Sequence, residues 1–107
     1  MSEINPSDTM ENLDLKLHSE ARMTIGATAT LPTLSGLTLP AGTLAVAIIP
    51  ESIVAIRMNM NGAASATTPK FPEAGMIIPI TKTDADLIEL YSASATYAAL
   101  MVFVARN

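Results

Sequence analysis

With 107 residues the chain has room for one domain, and with no cysteine and one histidine, His18, it has neither disulfides, thiolate metal sites nor an imidazole cluster to reinforce it. Its net charge of −4 falls within residues 1–20, where Glu3, Asp8, Glu11, Asp14 and Glu20 stand against Lys16 alone; residues 21–107 balance five cations against five carboxylates. A neutral body lacks the clustered Lys and Arg that displace counterions from phosphates, which argues against nucleic-acid binding.

Residues 1–11, MSEINPSDTME, are polar and broken by Pro6 and Ser7, and read as a flexible acidic arm preceding a domain over 12–107. The first 15 residues hold no basic and then apolar leader pattern, and no segment approaches the roughly 20 apolar residues of a membrane helix. Synthesis in a cytoplasm and no membrane contact are the expectations.

Strict alternation follows. Leu13, Leu15 and Leu17 share one face and Asp14, Lys16 and His18 the other, the period of a half-buried strand. Residues 21–31, with Met23, Ile25, Ala27 and Ala29 in phase, read as a second strand. Pro32, Ser35, Gly36, Pro40 and Gly42 make 32–42 a loop or short edge strand. Residues 43–49, TLAVAII, are apolar on both faces and need cover on both. Residues 53–60 alternate, with Val54, Ile56, Met58 and Met60 on one side and Ala55, Arg57 and Asn59 on the other. Asn61-Gly62 is a strong hairpin signal. A turn-rich loop follows, then a strand over 76–81 that Pro79 confines to an edge or a bulge. Residues 87–91 and 96–105 read as the last strands. About seven to eight strands, spaced by Pro, Gly and Asn, predict an all-β, single-domain β-sandwich or jelly roll.

Half of the residues are hydrophobic, while 4% are aromatic and 15% charged. Aliphatic surface beyond the needs of one small core would form a self-association or partner face. The alternative is that alanine inflates the count in an ordinary compact sandwich. Catalytic chemistry has few carriers. His18 lies on a polar strand face, where a solvated ring is the plain reading. Asp84 and Asp86 would share a strand face, a cation or acid–base geometry, yet TKTDAD also suits a turn whose Asp side chains bond backbone. The five glycines are isolated and form no phosphate loop. No enzyme activity, metal or cofactor is expected. Arg57, set among apolar neighbours, is either a solvated outward arginine or an interface guanidinium awaiting a carboxylate. The candidate contact residues are Arg57, Met58 and Met60 with the leucine row Leu13, Leu15 and Leu17.

One stretch resembles a known group. Pro40-Ala41-Gly42 leads to an Ala-rich strand over 45–49, then Ile56-Arg57, Asn61-Gly62, the Ala/Thr loop 63–68, the turn Pro72 to Gly75, and final strands between Leu87 and Val104. This order resembles small β-structured virion proteins of tailed bacteriophages, over about residues 25–105. Within that group the length and arm look most like a capsid cement (decoration) protein. The resemblance implies a dimer or trimer on the outside of an icosahedral capsid, stapling neighbouring copies of the major capsid protein. It offers no active-site residues to carry over. Two alternatives stay open: another virion component, such as a tail, adaptor or fibre-base protein, and a carbohydrate- or receptor-binding β-module. The second is poorly served by a chain with no Trp and only Tyr91 and Tyr97.

Overall fold

A computed structural model of the chain describes residues 14–52 and 55–106. The arm at 1–11, Leu13, Ile53 and Val54 lie outside the described residues.

Two antiparallel sheets enclose one core. The strands are β1 (Leu15–Ile25), β2 (Ala29–Thr30), β3 (Thr43–Pro50), β4 (Arg57–Asn59), β5 (Met76–Pro79), β6 (Glu89–Tyr91) and β7 (Thr96–Ala105). Two one-turn helices, α1 (Leu31–Ser35) and α2 (Lys82–Ala85), join them. The larger sheet has the order β1-β7-β3-β5 and the smaller β2-β6-β4. Each of these strands lies in the other sheet from the one before it. Lys70 adds a single antiparallel bridge to Arg57, beside β4. Counted as a vestigial strand, it completes the strand order of a jelly roll, with the all-β sandwich expected from the turn spacing.

The core draws on both layers. Met23, Ile25, Val46, Ile48, Leu100 and Val102 come from the larger sheet, and Ile56, Phe71, Ile88 and Leu90 from the smaller sheet and its flanking loops. Leu31, on α1, closes one end. Buried hydroxyls are all partnered. Thr96 Oγ1 meets Ser52 Oγ at 2.7 Å, and Ser92 Oγ donates to the carbonyls of Ser94 (2.6 Å) and Ala55 (3.1 Å). No described buried side-chain polar atom lacks a partner, as a small core requires.

Several expectations need correction. The predicted strand at 13–17 and the first part of that at 21–31 are one, β1, with a bulge, and residues 29–30 of the latter form β2 in the other sheet. Leu17 pairs with Phe103 and Ser19 with Val102, so His18 is the extra residue. One added residue reverses the phase of a period-two pattern. Leu15 and Leu17 therefore face out, while Met23 and Ile25, of the same odd numbering, face the core. The strand stops at Ile25 because a turn at Gly26 follows, where the Gly26 carbonyl accepts from Ser92 N–H at 2.9 Å. Residues 31–35 are helical rather than extended. Pro32 sits in the first turn, where its missing N–H costs nothing, and Gly36 ends the helix at φ 74°.

Asn61-Gly62 makes a turn but no tight hairpin. Asn59 Oδ1 accepts from Asn61 N–H at 3.0 Å, which turns the chain locally, yet β4 pairs with β6. The returning chain reaches β4 only near Lys70, where Phe71 N–H donates to the Ile56 carbonyl at 2.6 Å. Between them, Ser65, Thr67 and Thr68 hydrogen-bond to one another. Thr28 Oγ1 donates to the Ala64 carbonyl at 2.5 Å and ties this loop to the turn after β1. The strand predicted over 53–60 is shortened to Arg57–Asn59 among the described residues. The one predicted over 76–81 is shortened to Met76–Pro79, an edge strand as Pro79 demands. That predicted over 87–91 begins only at Glu89, because the turn that ends α2 continues through residues 86–87.

Candidate functional site

The outer face of the larger sheet is the most unusual surface of the described residues. Cross-strand partners share a face, so the registers define its rows. Leu17, Phe103, Ala45 and Pro79 form one row; Glu20, Met101, Ala47 and Ile77 the next; Arg22, Ala99 and Ile49 a third; Thr24 and Tyr97 a fourth. Ala45 and Ala47 are buried although no second layer of the described residues covers them, because larger side chains flank them on both sides. The result is a shallow apolar trough along β3 with Met101 and Phe103 on one bank and Ile77 on the other.

Exposure concentrates here. Of the seven large hydrophobic residues that are exposed among those described, four lie on this face: Leu17 (44%), Ile49 (43%), Ile77 (50%) and Tyr97 (42%). Isolated exposed apolar residues are ordinary; four on one sheet face form a patch. The run TLAVAII needs cover on both faces, and among the described residues a second layer covers the inner face only.

A charged clasp borders the patch. Arg22 Nε and Nη2 donate to the two carboxylate oxygens of Glu51, each at 2.9 Å. The guanidinium carbon lies 3.8 Å from the centroid of the Tyr97 ring, within cation–π range. Hydrogen bonds to Glu51 hold the Arg22 guanidinium above its ordinary value, so it stays cationic at all working pH. Tyr97 thus carries a cation over one face of its ring while 42% of the residue remains exposed.

The residues singled out from the sequence do not form one cluster. Leu15 and Leu17 lie on the outer face of the larger sheet. Arg57 and Met58 lie on β4, in the smaller sheet, and Met60 just beyond it. Arg57 is half-buried and donates from Nη1 to the Thr68 carbonyl at 3.1 Å, holding the 63–70 loop against β4. Met58 packs against the core. Met60 is exposed and lines an open recess of about 350 Å³ with Asn61, Pro79, Ile80, Asp84 and Leu87. The outer face also holds Ile77, Tyr97, Met101 and Phe103, which the sequence does not single out as contact residues, and Ile49, from the run apolar on both faces. For Tyr97, Met101 and Phe103 the sequence holds a signal: β7 is apolar at both its odd and its even positions.

The carboxylate pair is split. Asp84 lies within α2 and not on a strand, and Asp86, at its end, pairs with Lys82 one turn away. No group of three or more His, Asp or Glu among the described residues is placed to hold a metal ion. His18 projects from the bulge, with Nδ1 3.1 Å from Ser19 Oγ. Comparison with known proteins gives no match: no family model, no curated protein and no solved structure aligns with the chain.

Proposed function

We propose that this chain is a non-enzymatic structural module that binds another protein through the outer face of its larger sheet, as a cement protein on the outside of a tailed-phage capsid. The observation that supports this reading is the apolar trough along β3 with exposed Leu17, Ile49, Ile77 and Tyr97 around it. Removing such a patch from water is worth about 25 cal/mol per Å², a driving force that only a partner can release. The charge division adds to it. A body without net charge docks readily on a shell, and repetition of one weak contact over a symmetric lattice makes many copies bind firmly. The jelly-roll order is shared by viral capsid and lectin domains, and architecture alone does not choose between them. The sequence resemblance to virion proteins favours the capsid, with the major capsid protein as the partner and the virion surface as the location.

Deleting the gene from the encoding genome is the direct test. The reading expects particles that assemble yet burst on heating or at low ionic strength, with restoration when the purified chain is added back. Particles of normal stability would reject it. A copy number of only a few per particle would move the chain to the tail or its adaptor.

A further inference from the structure

Among the described residues β1 is the long edge strand of the larger sheet: it pairs only with β7, and it runs for 11 residues without a proline. The opposite edge, β5, has four residues and ends in Pro79. An edge as long as β1 presents a row of unpaired backbone donors and acceptors, which another strand can satisfy. The bulge at His18 restricts a regular ladder to the part from Ser19 onward.

The side chains on that part favour one partner and one register. When a strand pairs antiparallel with its own copy about a two-fold axis normal to the sheet, outer-face residues meet outer-face residues. An axis through Glu20 sets carboxylate against carboxylate. One through Arg22 sets guanidinium against guanidinium. One through Ala21 places Glu20 opposite Arg22 of the second copy, twice by symmetry, with a small residue on the axis. Both charges are available for this. Glu20 is exposed and has no ion-pair partner among the described residues. Arg22 uses Nε and Nη2 on Glu51 and keeps Nη1 to donate elsewhere. Its seat on Tyr97 also holds it in place, which lowers the ordering cost of a second contact.

We propose that a second copy of this chain pairs with β1 in antiparallel register about Ala21, joining two four-stranded sheets into one of eight strands. The two outer faces then form one continuous surface. This self-pairing is independent of what that surface binds, and it is read in the free protein without any capsid.

Sedimentation equilibrium of the full chain, from micromolar to tenths-of-millimolar concentration, tests it together with three variants. The wild type is expected to dimerise. Glu20→Arg turns both cross-pairs repulsive and is expected to weaken dimerisation about tenfold. Ala21→Cys, in a chain with no other thiol, is expected to oxidise to a covalent dimer, since directly opposed residues lie within disulfide reach. Thr24→Cys is not, because His18 and not Thr24 of the second copy stands opposite it. A monomeric wild type at every concentration overturns the proposal. So does a dimer that Glu20→Arg leaves intact, or one that cross-links through position 24 as readily as through 21.

Discussion

Arg22 and Glu51 join the two strands that flank β7. Arg22 is on β1 and Glu51 follows the end of β3, and both oxygens of the carboxylate accept from the guanidinium at 2.9 Å. The bridge passes over Ala99, which is the partner of both Arg22 and Ile49 in the register. A methyl side chain there leaves the path open. The same pair bounds the apolar trough with an ion pair of no net charge.

Both members of that pair are exposed, so its worth for folding is small. Glu51→Gln is expected to lower the melting temperature by no more than a few degrees, and the difference should shrink in molar salt. Thermal melts by circular dichroism at low and high salt measure both. A large loss of stability that salt leaves unchanged would mean the pair does more than the geometry indicates.

Gly75 is a sharper case. Its φ is +89°, and a Cβ there would stand 2.8 Å from the Ile48 carbonyl oxygen. Both the left-handed backbone and the contact with β3 exclude a side chain, because β5 begins directly against the β3 backbone. Gly75→Ala is expected to cost about 2 kcal/mol or more. Urea unfolding should show a midpoint lower by about 1 M at unchanged slope. An unaffected midpoint contradicts the close approach of the two strands.

Leu100 and Leu17 test the two faces of the larger sheet against each other. Leu100 is fully buried and packs in the core, whereas Leu17 is exposed on the outer face. Leu100→Ala is expected to cost about 2–5 kcal/mol through the cavity it leaves. Leu17→Ala should stay within about 0.5 kcal/mol. Comparable losses at the two sites would show that the outer face is covered in the free molecule.

Ser92 probes the polar interior. Its hydroxyl is the shared donor between the carbonyls of Ser94 and Ala55, close to the turn that leads into β7. Ser92→Ala is expected to cost about 1–2 kcal/mol, with hydrogen exchange accelerating first at the amides of 92–96. Protection lost uniformly over the domain would argue against a local role.

Most of the fold was legible in the sequence because its strands obey simple rules. The bounds of β7 agree with the expectation at both ends, since a long apolar run has no breaker within it. β3 was placed by its two-sided apolar pattern between Gly42 and Pro50. The failures share a cause. A period-two reading assumes no insertion, so it did not show the bulge at His18 that puts Leu17 and Met23 on opposite faces of one strand. Asn61-Gly62 marks a turn, but whether the chain pairs after a turn depends on the following residues, and AASATTP bonds to itself instead. The docking face was the least legible element. It is assembled by register across four strands, and no local window of sequence contains Leu17, Ile77 and Tyr97 together.

The central claim, that the outer face of the larger sheet is a protein-binding surface, is tested most directly by co-sedimentation with capsid shells built from the major capsid protein of the same genome. Wild-type chain is expected to bind at a fixed saturating ratio to capsid subunits and to raise the temperature at which the shells disrupt. Ile77→Asp, placed at the centre of an exposed apolar bank, should keep its β-type circular dichroism and lose at least tenfold in affinity. Shells that bind no chain, or that bind wild type and Ile77→Asp equally, would contradict the claim.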